Sequence, residues 1–212
     1  MKERLLKMPR LVLKDLNIQE AFNSFIGLIR LDKKVIMGIA KDEKGGAAAA
    51  FFLLLGVAFP WLFKAVFGTR VFNVIVRPDF STVFINILIG LIFVLVAIFI
   101  VTVVATELFK GKGSFDDFFR VSGLAYGLLV LSIVGSTVPV LASYVALILL
   151  VWGFVILFVL IRTVFGLDDA NTVLTILLML VSIFVLDTFF SWLGLTAGHI
   201  GSIDFSSFPI AF

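Results

Sequence analysis

The chain holds 212 residues, of which 61 % are hydrophobic and only 15 % charged, with a mean hydropathy of +1.20. The apolar residues fall in runs of about twenty, the length a helix needs to cross a bilayer, and a water-soluble domain has no use for several such runs. The formal charge of +3 comes from basic residues crowded near the N-terminus, which fits anionic lipid headgroups rather than nucleic acid; with no cysteine, disulfides, thiolate chemistry and Cys-based metal sites are excluded.

Residues 1–45 carry ten of the seventeen Lys and Arg. No clean apolar stretch precedes the first long run, so no cleavable signal peptide is expected. Ile18, Phe22, Phe25, Ile26 and Ile29 share one helical face, and Asn17 with Glu20 three residues on has the form of a capping arrangement. Such a helix can lie flat on the membrane or pack against the protein's own bundle, and spacing does not choose between them. The stretch DKKVIMGIAKDEKG predicts a second short surface helix, broken at Gly45-Gly46.

Five spans follow, at about 47–67, 81–106, 123–141, 143–161 and 171–195. The expected fold class is all-α: a polytopic membrane protein of five transmembrane helices with an N-terminal amphipathic segment. The expected organisation is a cytoplasmic basic region (1–45), a membrane domain (46–197) and a tail on the outer side (198–212). Pro60 is expected to kink the first span and Lys64 to snorkel from its far end. A tight turn near Pro139 makes the third and fourth spans an antiparallel pair. With the N-terminus inside, fourteen of the seventeen basic residues lie on the cytoplasmic side; only Lys64, Arg70 and Arg77 lie outside. That bias predicts a cytoplasmic N-terminus and an external C-terminus.

The most sharply punctuated polar stretch is GKGSFDDFFRVSG, from Gly111 to Gly123. Gly111 and Gly113 stop the second span and let the chain turn. Ser114 with Asp117 three residues on has capping-box form, and Asp116 and Asp117 suit the positive end of a helix dipole. Phe115, Phe118 and Phe119 are expected at headgroup level. GKGS looks like part of a phosphate-binding loop, but the GxxxxGK[ST] spacing and the preceding strand are absent. A structural hairpin, or a docking surface for a partner, is the better reading.

This stretch, followed by a span, a short turn and another span, resembles the Yip1-domain family. So does Trp152-Gly-Phe-Val-Ile-Leu-Phe-Val-Leu-Ile-Arg162 running into a short Gly-containing link. The resemblance covers roughly residues 20–195 and is carried by Gly111, Gly113, Phe115, Phe119, Arg120, Gly123, Trp152, Gly166 and Ala170. The chain departs from the family pattern at GLAYGLLV, which has Gly127 and no proline. The resemblance implies a five-span protein with a cytoplasmic N-terminus. For eukaryotic members it implies a link to vesicle trafficking and small prenylated GTPases, a role that nothing in these residues calls for.

Charge in hydrocarbon is costly, so polar residues within the spans are the best functional leads. Asp187 lies in the outer part of the fifth span. It is expected to pair with Arg70, Arg77 or Lys64, to be protonated, or to reach the headgroups. Asn86, Thr175 and Ser182 can bond between helices, and Ser132, Ser136 and Thr137 add polarity to the third span. On the inner side, Glu107, Arg120, Arg162, Asp168 and Asp169 are expected to form an ion-pair network, with Asp168 capping the last span. Trp61 and Trp192 suit an aromatic belt, and Trp152 is expected between helices. Gly123 and Gly127 form a GxxxG.

No catalytic set, metal site or cofactor is expected. His199 is the only histidine, and no second carboxylate reaches the depth of Asp187. Two functions remain in view. One is a non-enzymatic scaffold or adaptor that organises membrane or recruits partners. The other is a small-solute or ion transporter or channel, acting as an oligomer with Asp187 in its pathway. A lipid-directed enzyme has no support beyond Asp187 and Glu107, which lie at opposite faces. The expected partners are a bilayer with anionic headgroups near the N-terminus and a protein partner or second copies of the chain, with no nucleic acid.

Overall fold

The computed structural model describes residues 17–71 and 74–192. Two short helices come first. Helix α1 (Ile18–Ile29) is capped by Asn17, whose side chain accepts the Glu20 N–H at 3.3 Å. Helix α2 (Lys33–Lys41) is capped by Asp32, which accepts from Lys34 N at 2.8 Å. Leu31, at φ 61°, turns the chain between them. Ala21 and Leu28 of α1 and Ile36, Ile39 and Ala40 of α2 are buried in the common core. The N-terminal helices are thus packed on the bundle.

Five helices or helical runs are long and apolar enough to cross a membrane. The first is α3 (Gly46–Phe67), which continues through Pro60. The second is α4 (Phe80–Val103), whose end winds into a π-helical turn at Val104–Leu108. The third is composite: α5 (Phe115–Tyr126), a 3₁₀ turn (Gly127–Leu131) and α6 (Ser132–Thr137). Then come α7 (Pro139–Phe165) and α8 (Asp169–Trp192). Val138, in extended conformation, breaks the chain between α6 and α7, with Pro139 opening the new helix where its missing N–H costs nothing. Gly166, at φ 66°, ends α7. The outer faces of these runs carry exposed Phe84, Ile92, Phe99, Leu147, Val151 and Phe184, a surface suited to lipid and not to water.

Two features differ from the sequence expectation. The third spanning run starts at Phe115, where the Ser114 capping box begins the helix as the sequence predicts, and not at Gly123, because its first turns are lodged in the core. The connector after α3 is a small antiparallel hairpin, β1 (Thr69–Val71) and β2 (Val74–Val76), with Thr69 opposite Val76.

Asp79 starts α4. Its carboxylate accepts from Ser81 Oγ at 2.6 Å, from Thr82 N at 2.8 Å and from Thr82 Oγ1 at 2.9 Å. These bonds, the Ser81 hydroxyl foremost, hold its pKa down from 3.8 to about 2. The folded state binds this proton less readily than the unfolded state. The stabilisation is therefore complete above the ordinary carboxylate range and lost as pH falls through about 2. Asp79→Asn, which keeps a neutral capping oxygen, is expected to remove that part of the acid sensitivity. Thermal unfolding of both proteins in detergent, at steps between about pH 5 and pH 2, checks it; parallel curves refute it.

Candidate functional site

The hairpin between α4 and α5 lies against the end of α7. Gly111 N donates to Ala105 O at 2.8 Å, and Lys112 N donates to Phe165 O at 2.9 Å. The sharp backbone turn falls at Lys110 (φ 56°) and not at the glycines. The glycines serve a different need. A Cβ on Gly111 would lie 2.9 Å from both Ala105 O and Phe165 Cβ, and one on Gly113 would lie 2.9 Å from Val164 O. They let the hairpin lie directly on the α7 backbone.

Ser114 and Asp117 close a reciprocal capping box, Ser114 N to Asp117 Oδ2 at 3.0 Å and Asp117 N to Ser114 Oγ at 3.2 Å. With α5 started this way, Asp116 and Arg120 fall one turn apart on its buried face. They form a salt bridge, and Arg120 and Asp116 are 3 % and 4 % exposed. Arg120 Nη1 also donates to the carbonyl of Ala40 at 2.7 Å, and Asp117 Oδ1 lies 3.9 Å from the same nitrogen. Ala40 sits in the last turn of α2, where carbonyls lack helical partners and the dipole is negative. One guanidinium thus joins a buried carboxylate to the open end of a second helix.

Phe118 and Phe119 are buried in the bundle, at 1 % and 5 % exposure. The Phe118 ring packs on Phe165, with centroids 5.3 Å apart, and Phe115, half-buried, stacks on Phe119 at 6.1 Å. The capped helix is rotated so that its aromatic and ion-pairing residues both point inward.

The five-residue inner network does not form as one unit. Arg162 pairs with Asp169 at 2.9 Å on the exposed surface. Asp168 caps α8, accepting from Asn171 N at 2.8 Å. Glu107 joins no ion pair among the described residues; its backbone carbonyl accepts from Lys110 Nζ at 2.9 Å. Arg120 faces inward toward Asp116, one turn earlier on the same helix. The i, i+4 spacing of Asp116 and Arg120 was the signal available.

Within the spans, the polar side chains bond to their own helices. Asn86 Nδ2 donates to Thr82 O at 2.8 Å, Thr175 Oγ1 to Asn171 O at 2.8 Å, and Ser182 Oγ to Leu178 O at 2.8 Å. The expected bonds between helices are replaced by back-bonding one turn earlier. Trp152 is 37 % exposed on the outer face rather than wedged between helices. Lys64 Nζ lies 5.0 Å from the centroid of the Trp61 ring, a cation–π contact. Asp187 is 8 % exposed, and its Oδ1 has no hydrogen-bond partner among the described residues. No ion pair among those residues includes it; the side chains of Arg70 and Trp192, His199 and the 198–212 tail lie outside the described residues. A groove of about 380 Å³ between α7 and α8 is lined by Phe154, Val155, Phe158, Val173, Ile176, Leu177 and Leu180, all apolar, and does not reach Asp187.

Among the described residues no group of three His, Asp or Glu converges as a metal site would require. Five apolar helical runs of spanning length define a multi-pass integral membrane protein. A family model, the Yip1 domain, matches residues 34–204, and the chain belongs to that family. No curated protein and no solved structure matches it.

Proposed function

We propose that the chain works as a non-enzymatic membrane scaffold or adaptor, with its N-terminus in the cytoplasm and its C-terminal tail across the bilayer. One observation carries this reading: Arg120 ties the last turn of α2 to the start of the third helical run through buried, charge-assisted bonds. The N-terminal helices are therefore a fixed part of the bundle's end face. Arg30, Lys33, Lys34, Lys41 and Lys44 stand exposed on or beside them. Exposed Glu20, Asp32, Asp42 and Glu43 stand among them, so the face is mixed in charge, and its lysines suit anionic headgroups or an acidic partner surface. Family membership and the lack of a metal-ligand cluster among the described residues support a role without catalysis.

The test is affinity capture from host membranes, with the native chain compared with one in which Lys33, Lys34, Lys41 and Lys44 are all Glu. Partners or anionic lipids that co-purify with the native chain and are lost from the variant support the reading. No stable partner, or an unchanged set, overturns it. The second reading, an oligomeric pathway for a solute or ion, draws on the buried Asp187 carboxyl. Flux in proteoliposomes that disappears in Asp187→Asn would favour it.

A further inference from the structure

Helix α1 precedes the residues matched by the Yip1 family model and carries three sectors where an amphipathic helix usually has two. At about 100° per residue, Ala21 and Leu28 point one way. Both are buried against the bundle, at 5 % and 0 % exposure. Gln19, Glu20 and Asn23 form the polar sector and are exposed. Between them lies an apolar sector that no part of the described protein covers: Ile18 is 60 % and Phe22 53 % exposed, with half-buried Ile26 in the same line. This sector is centred about 110° around the helix from the buried one. A surface helix standing in water would gain nothing from it.

A chain of ring contacts joins the uncovered sector to the lipid-facing surface of the spans. Phe22 lies 6.3 Å from Phe25, Phe25 lies 5.2 Å from Phe52 of α3, and Phe52 lies 5.8 Å from Phe51, centroid to centroid. Phe51 is itself exposed on the outer face of the first span. The four rings form a chain of contacts from α1, through Phe52 buried at 6 % exposure, to a surface that hydrocarbon must cover. Phe52 stands six residues into α3, about 9 Å from the start of that helix at 1.5 Å per residue. Interfacial helices seat about 5–10 Å into the headgroup and acyl boundary, a comparable distance.

We propose that α1 is a lipid-inserted wedge: Ile18, Phe22 and Ile26 sit among the upper acyl chains of the leaflet next to the α2 end of the bundle, while Gln19, Glu20 and Asn23 face water. The occupant of the uncovered sector is phospholipid. The bundle fixes the depth, through Phe25 against Phe52 and through the Arg120 clamp on the neighbouring helix α2. The inference needs only a membrane-spanning bundle and is independent of any partner.

The chain has no native cysteine, so single cysteines can be introduced at Ile18→Cys, Phe22→Cys and Asn23→Cys in the full-length protein. All three positions are exposed, so the substitutions leave the core alone. Each variant is spin-labelled and reconstituted alone into phosphatidylcholine–phosphatidylglycerol vesicles. Collisions with oxygen, which concentrates in lipid, are compared with those of a water-soluble nickel chelate. The expected result is that labels at 18 and 22 favour oxygen several-fold over the label at 23, which favours the chelate. Equal access of the chelate to 22 and 23 overturns the proposal, because the sector then faces water. A label at 22 shielded from both reagents also overturns it, because protein, such as a second copy, then covers the sector. Neither failure bears on partner capture, since no partner is present.

Discussion

Arg120→Leu is expected to destabilise the bundle by about 3–5 kcal/mol, a large part of the stability of a domain this size. The substitution takes the guanidinium away from Asp116, which is 4 % exposed, and from the Ala40 carbonyl. The loss is thus dominated by what remains buried, not by the worth of the pair. Changing both partners separates the two. Asp116→Leu with Arg120→Leu removes the buried carboxylate as well, so the double variant is expected to recover most of the loss, short of about 1–3 kcal/mol for the Ala40 carbonyl. Arg162→Leu is the control. Its partner Asp169 is exposed, and such pairs are worth about 0–1 kcal/mol. Equilibrium unfolding in mixed micelles reads all four proteins. If Arg120→Leu were as mild as Arg162→Leu, the buried clamp would not hold the N-terminal helices.

That contrast also shows why the site was less legible than the fold. The spans could be found from the chain because hydrocarbon admits only long apolar helices, and the runs ending near Phe67 and Thr106 leave little freedom. The helix start of the third run was legible from its cap, but its burial was not. Asp116 and Arg120 argue against membrane burial until they are seen to neutralise each other. Ser114 and Asp117 were legible because a capping box is local chemistry. Gly111 and Gly113 were recognised as special but for another reason: a turn is a local property, whereas close approach to Val164 and Phe165 depends on a segment some fifty residues away. The spread of Glu107, Arg120, Arg162, Asp168 and Asp169 into separate contacts likewise depends on helix rotation, which charge counting does not supply. Asn86, Thr175 and Ser182 had a carbonyl one turn back within reach from the start, and that local bond won. The hairpin at Thr69–Val76 was written in its alternating β-branched residues but is too short to stand out from a connector.

The same close approach governs Gly56, for which a large effect is also expected. An added Cβ there would lie 2.0 Å from the Tyr126 carbonyl oxygen and 2.6 Å from its carbon. The obstacle is backbone, so no rotamer change relieves it. A second such contact lies nearer the start of the pair, where a Cβ on Gly123 would meet Ala49 O at 2.7 Å. Lipid tails are as apolar as leucine, so helix association in a membrane rests on packing, and small residues let two backbones share it. Gly56→Ala must therefore push α3 and α5 apart, at a cost of about 1–3 kcal/mol or more. Gly56→Leu is expected to prevent the native arrangement altogether. Gly153, in the middle of α7, has nothing within 4 Å of the corresponding position. There alanine adds helix propensity without a clash, so Gly153→Ala is expected to be neutral or stabilising by up to about 1 kcal/mol. Unfolding in mixed micelles distinguishes the two glycines. Equal tolerance of alanine at both would mean that α3 and α5 do not meet backbone to backbone, and the seat that α3 and the α5 end offer to Phe25 of α1 would go with that contact.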